Sequence, residues 1–146
     1  MAALLVHLLT NGRYGYFRDE LYYIACARHL DFGYVDLAPL SAFLLRIELI
    51  LFGSSLFALR IFPALASALT IVFTGILTRE LGGRAWAISL ACTSMLGSLF
   101  FLAVGNFYSP NVYEPLFWTG AIYLLCRIVN GAPSRTWLWF GVVVGF

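Results

Sequence analysis

Apolar positions run through this chain in long unbroken stretches, and the polar positions collect between them instead of alternating with them. Such stretches need a bilayer as solvent and predict spanning helices. Residues 57–78 form a first complete span, with Pro63 in an early turn where it does least harm. The span ends at Arg79-Glu80-Leu81-Gly82-Gly83-Arg84, whose paired glycines stop a helix and permit a tight reversal. A second span occupies 85–104, a polar and aromatic loop runs from Asn106 to Glu114, and a third span covers 115–129. Asn130-Gly131-Ala132-Pro133-Ser134-Arg135 makes a second turn into an apolar stretch, 136–146. From Trp137 onward that stretch would reach only about 15 Å as a helix, roughly half the hydrocarbon thickness. Residues 1–9 are also apolar and too short to cross. The expectation is a piece of a larger membrane protein, cut inside a truncated span at its C-terminus and beginning with the end of an earlier span.

Between these apolar stretches, residues 10–56 read as one long loop bearing two surface helices. Asp19–Leu30 has helical composition with acids at its start, where they complement the helix dipole. Pro39–Phe52 is nearly apolar, interrupted only by Ser41, Arg46 and Glu48, and fourteen residues are too few to span, so it is expected in the interface. The fold class expected is all-α and integral to the membrane.

Composition sharpens this picture: the 146 residues are 62% hydrophobic and only 11% charged, far from a water-soluble balance. A net charge of +2 with no basic block excludes a nucleic-acid track. All basic residues are arginine, which suits forked contacts to phosphate or carboxylate, although genomic base composition produces the same bias. Cys26, Cys92 and Cys126 have neither disulfide nor metal spacing, His7 and His29 show no metal-ligand spacing, and no phosphate loop or serine-nucleophile signature occurs. Neither a cofactor nor a metal requirement can be assigned. The start lacks a basic leader and a cleavage site, against a removed signal peptide.

Arginine also sets the expected orientation. Arg79, Arg84, Arg127 and Arg135 cluster at the two tight turns, which the positive-inside rule places in the cytoplasm. The opposite side then holds the long loop, the Asn106–Glu114 connection, and Tyr14, Tyr16, Tyr22, Tyr23, Tyr34, Tyr108 and Tyr113, which read as an interfacial aromatic belt.

The densest polar cluster, Arg13-Tyr14-Gly15-Tyr16-Phe17-Arg18-Asp19-Glu20, lies on that side. A carboxylate at the edge of a hydrophobic site can act as a general base toward a hydroxyl or amine. Equally, Asp19 can cap the following helix with Glu20 in its first turn, both facing water. Glu114 is a second external acid: Asn111 and Glu114 have capping-box spacing, or Glu114 itself caps a helix that begins at Pro115. Asp36 is a third.

Phe17-Arg18-Asp19-Glu20-Leu21-Tyr22-Tyr23 with Arg28-His29-Leu30, then Gly33-Tyr34-Val35-Asp36 with Pro39-Leu40, Ser55-Leu56-Phe57-Ala58-Leu59-Arg60 and Arg79-Glu80-Leu81-Gly82-Gly83, resemble a known pattern. They are similar to the dolichyl-phosphate-mannose protein mannosyltransferases of glycosyltransferase family 39, which include the lipid A aminoarabinose transferases. The resemblance implies a GT-C fold, a multi-span bundle whose first external loop bears surface helices and a catalytic acid. It implies transfer of a hexosyl or pentosyl group from a polyprenyl-phosphate donor, with inversion, to a lipid, glycan or protein acceptor outside the cytoplasm, at the plasma (inner) membrane. Asp19 matches the family's acid and would be the general base, with Glu20 completing the paired-acid motif. Glu114 and Asp36 become substrate-binding candidates. Arg18 and Arg60 are candidates for holding the leaving phosphate, by charge and side. Relatives commonly read Asp-x-Pro-Pro-Leu where this chain has Asp36-Leu37-Ala38-Pro39-Leu40. Two other classes fit the same composition: a transporter or flippase subunit, in which the acids are caps, and a non-catalytic membrane scaffold.

Overall fold

The computed structural model describes residues 2–145. Met1 and Phe146, the outer ends of the two partial spans expected from the sequence, lie outside the described residues. Among the described residues all regular structure is helical: α1 Ala2–Thr10, α2 Arg18–Arg28, α3 Pro39–Phe52, α4 Leu56–Leu59, α5 Ile61–Glu80, α6 Ala85–Gly97, α7 Leu99–Val104, a 3₁₀ turn Pro110–Val112, α8 Tyr113–Val129 and α9 Thr136–Gly145.

Two helical stretches are long and apolar enough to cross a membrane, Leu56–Glu80 with 25 residues and Pro110–Val129 with 20. At 1.5 Å per residue they reach about 37 and 30 Å, against a hydrocarbon core of about 30 Å. α5 is the central helix, with α1, α6 and α8 packed around it, while α9 packs on α8 and α2 on α3. α6 and α9 bury none of their residues, and Trp86, Leu90, Leu138 and Trp139 stand exposed. An apolar surface of this kind suits lipid, where it costs nothing.

Local chemistry fixes the helix ends. At the end of α5, Gly82 takes a φ of 87° and the Gly83 N–H donates to Thr78 O at 2.9 Å, the bond pattern of a glycine-terminated helix. α8 ends in the same way, with Gly131 at φ 84° and Ala132 N donating to Arg127 O. Asn130 Nδ2 donates to Glu80 Oε1 at 3.0 Å, which sets the two turns side by side at one end of the bundle. At the α5–α6 crossing a Cβ on Gly75 would lie 3.2 Å from Cys92 Sγ, so the small residue lets the two backbones approach. Down α5, Thr70, Thr74 and Thr78 each donate a hydroxyl to the carbonyl four residues back, hiding their polarity within the helix.

The structure departs from the sequence expectations in three places. The helix expected over 85–104 is broken at Ser98, which closes α6 and opens α7, its Oγ accepting from Phe101 N. Gly97 is a weak helix former, and the serine hydroxyl offers the backbone a new start. α3 does not keep its polar residues outside: Ser41, Ala42, Leu45 and Glu48 face inward, while Ile47, Ile50, Leu51 and Phe52 are exposed. Tyr108 and Tyr113 leave the expected aromatic belt for the core, joining Ala27, Leu45, Leu59, Ala66 and Val112. The Tyr108 hydroxyl donates to Ser41 O at 2.6 Å, so the ring can be buried without an orphaned polar tip.

Candidate functional site

The start of α2 separates its two adjacent acids. Its N-cap is Phe17, with an extended backbone, and Glu20 reaches back so that Phe17 N donates to Glu20 Oε2 at 2.8 Å. Glu20 therefore performs the capping expected of Asp19, because the third position of a helix can fold back on the cap and the second cannot. Asp19 turns outward, its side chain 41% exposed, with Arg18 Nε donating to its Oδ1 at 3.0 Å.

Glu20 has no exposed surface. Its Oε1 accepts from Arg60 Nε at 2.9 Å and from Tyr108 N at 2.8 Å, and its Oε2 accepts from Arg60 Nη2 at 2.8 Å as well as from Phe17 N. Arg60, at the junction of α4 and α5, spends its remaining donors on the carbonyls of Asn11, Tyr14 and Gly15. Each of its five N–H groups thus ends on a protein acceptor. The expectation that Arg60 holds a leaving phosphate does not agree with this arrangement, which leaves no donor free. Glu20 likewise does not reach open space as a catalytic partner would. The pair instead ties α2, the α4–α5 junction, residues 11–15 and the Tyr108 loop into one piece.

A second buried knot backs that loop. His7 is fully buried, with Nδ1 3.0 Å from Asn106 Oδ1 and Nε2 3.0 Å from Ser67 Oγ, so both ring nitrogens are engaged. Thr10 Oγ1 also donates to Asn106 Oδ1. α1, α5 and the start of the 106–109 loop are thereby locked together. Glu48 of α3 forms a third tie: it is fully buried and accepts from Phe62 N at 2.8 Å, capping α5 from a neighbouring helix. Its Oε2 has no partner, and burial pushes the carboxyl up to about 8.

Above this scaffold lie two depressions with a shared wall. One is a cavity of about 330 Å³ between the Asp36–Leu44 stretch, the start of α8 and the end of α9. Its polar margin carries Asp36, Asn111 and Glu114, and its apolar wall is built by Phe117, Trp118, Ala121, Val143 and Val144. The other is an open depression of about 540 Å³ bounded by Arg18, Asp19, Tyr22, Tyr23, Val35 and Asp36. Tyr23 and Asp36 line both. The fold thus brings Asp36 and Glu114 to the cavity and Arg18, Asp19 and Asp36 to the neighbouring depression, while the buried Glu20 and Arg60 line neither. Glu114 is exposed in the first turn of α8. It is neither the cap nor the capping-box partner foreseen: Pro110 starts a 3₁₀ turn that runs into α8, and Ser109 Oγ caps that turn by accepting from Asn111 N.

Sequence reasoning missed Tyr22, Glu48, His7 and Tyr108. A lone acid in an otherwise apolar helix was a signal for Glu48. Nothing local marks the other three, whose roles depend on partners 14 to 99 residues away.

The described residues are all-helical where regular, with two helices long and apolar enough to cross a membrane, and they carry a cavity with a polar margin and an apolar wall. Residues 36–146 match the family described as dolichyl-phosphate-mannose-protein mannosyltransferase, and the chain belongs to that family. It is accordingly a membrane glycosyltransferase of the GT-C type, mannosyltransferase-like. The cavity residues from Asp36 onward fall inside the matched stretch, whereas Arg18, Asp19 and Glu20 precede it. No curated protein and no solved structure matches the chain.

Proposed function

We propose that the chain transfers a hexosyl or pentosyl group from a polyprenyl-phosphate donor to a lipid, glycan or protein acceptor, with inversion, on the extracytoplasmic face of the plasma membrane. The observation that carries this reading is the pair of adjoining depressions that share Tyr23 and Asp36, one lined by Asp36, Glu114 and an apolar wall and the other by Arg18, Asp19 and Asp36. A lipid-linked sugar has that division of chemistry: its prenyl chain belongs with Phe117, Trp118 and Val143, and its sugar hydroxyls with Asp36, Asn111 and Glu114. Arg18 at the rim is 91% exposed and, beside its Nε bond to Asp19, presents its two terminal nitrogens to the leaving phosphate.

Asp19 is the proposed general base. The acceptor oxygen attacks the anomeric carbon from the face opposite the phosphate. The new C–O bond forms as the C–O bond to phosphate breaks, the hydroxyl proton passes to Asp19, and the bonding pair leaves with the polyprenyl phosphate. Orientation is supported by charge. The two glycine turns, with Arg79, Arg84, Arg127 and Arg135 in or beside them, lie at the opposite end of α8 from Glu114, so the positive-inside rule directs the site outward.

The test uses the full chain in membranes with a radiolabelled polyprenyl-phosphate sugar. Asp19→Asn is expected to insert normally and lose transfer, and retained turnover overturns the assignment of the base. In a transporter or flippase, neutral replacement of both Asp19 and Glu114 leaves transport intact. A scaffold would not crosslink to a photoreactive polyprenyl-phosphate probe.

A further inference from the structure

The sequence placed Tyr22 only in an interfacial belt, yet it lines the open depression and is bonded to Asp36, which lines both. Tyr22 lies one turn beyond Asp19 on α2, and its hydroxyl donates to Asp36 Oδ1 at 2.6 Å, the length of a charge-assisted bond. The carboxylate beside it holds the phenol well above its ordinary range, so Tyr22 keeps its proton and remains the donor. Asp36 belongs to a stretch without regular structure, and its neighbours Val35 and Leu37 stand beside it on the two depressions. Among the described residues this is the one hydrogen bond joining residues 35–38 to α2.

The bond is not held in place by packing. Tyr22 is 41% exposed and Asp36 is exposed, so the hydrogen bond, and not surrounding side chains, sets where the carboxylate sits. Asp36 Oδ2 has no hydrogen-bond partner among the described residues, and Asp36 lines both depressions. Resting on the transferase reading above, we propose that Tyr22 is a positioning residue: it fixes the Asp36 carboxylate between the two depressions, one oxygen held and the other left to accept a hydroxyl of the donor sugar. A fixed carboxylate discriminates among sugars better than a mobile one, because a single acceptor direction selects for a hydroxyl in one orientation.

The experiment compares wild type, Tyr22→Phe, Asp36→Asn and the double variant, all as the full chain in membranes, measuring kcat and donor KM. Phenylalanine keeps the ring and removes only the hydroxyl. Tyr22→Phe is expected to raise the donor KM about tenfold, with kcat within about twofold of wild type. In the Asp36→Asn background the same change should add nothing, since the carboxylate it positions is gone. An unchanged donor KM in Tyr22→Phe overturns the proposal. So does a full additional loss on top of Asp36→Asn, which would mark a merely structural tyrosine. Wild type unable to use any polyprenyl-phosphate sugar would refute the transferase reading instead, so the two failures are distinct.

Discussion

Asp19 and Glu20 are neighbours of the same chemical type, and the fold gives them opposite jobs, so neutralising each should fail in a different assay. Glu20→Gln keeps the shape of the side chain. It replaces one carboxylate oxygen with an NH₂ group, and each oxygen now faces two N–H donors: Arg60 Nε and Tyr108 N on one, Arg60 Nη2 and Phe17 N on the other. Whichever way the amide turns, two donors point at a donor. The Arg60 guanidinium, 2% exposed, is left as an uncompensated buried charge. Removing one partner of such a pair costs about 3–5 kcal/mol. A protein of this size loses a few degrees of melting temperature per kcal/mol, so the midpoint should fall by roughly 10 °C or more. Asp19 is paired only with a side chain that is 91% exposed, and pairs of that kind contribute at most about 1 kcal/mol. Asp19→Asn should therefore melt like wild type while losing transfer. The assay is thermal unfolding of the full chain in lipid nanodiscs beside sugar transfer in the same preparation. The adjoining check is the double variant Glu20→Gln/Arg60→Met, which removes the stranded charge and should recover part of the loss. A Glu20→Gln protein that melts within a degree or two of wild type would refute the buried-pair reasoning, and equal destabilisation by Asp19→Asn would refute the division of labour.

The remaining predictions concern the other buried ties and the cavity margin. Glu48, at about 8 against an ordinary 4.5, holds its proton more tightly folded than unfolded, so its contribution to stability is full below about pH 4.5 and is lost as pH rises through 8. Melting curves of wild type and Glu48→Gln between pH 5 and 8.5 should diverge, with the glutamine variant showing the flatter profile; parallel profiles would count against a protonated Glu48. A Cβ at residue 105 would fall 2.6 Å from His7 Cε1 and 2.9 Å from Ser67 Oγ, so Gly105→Ala should destabilise by about 1–3 kcal/mol, read as a lower melting midpoint. Glu114→Gln removes an exposed acid from the cavity margin. It should leave the melting midpoint in place while raising donor KM several-fold, roughly the loss of one hydrogen bond to a charged group.

Much of the candidate site was legible in the chain because membrane patterning is coarse and turn chemistry is local. Gly82 and Gly131 announced the turns that the structure builds at α5 and α8, since only glycine takes those positive φ values easily. Asp19, Asp36 and Glu114 stood out because acids are scarce beside apolar stretches. Arg60 shows where such reading stops. Its charge and side suggested phosphate, and nothing within several residues of it reveals that Glu20, forty positions earlier, takes the Nε–Nη2 edge of its guanidinium. The same holds for Tyr108, which composition assigns to an interfacial belt and packing assigns to the core.

By itself the sequence determined the helical, lipid-facing character of this protein, the position of its turns and the supply of acids on one side, because these follow from hydropathy, helix-stopping residues and charge along short stretches. Only the tertiary structure decided which acid faces open space and which is buried. That choice depends on distant partners: a buried carboxylate persists only where an arginine and backbone donors converge on it, and the fold gathers them for Glu20 while leaving Asp19, one residue away, at the open depression.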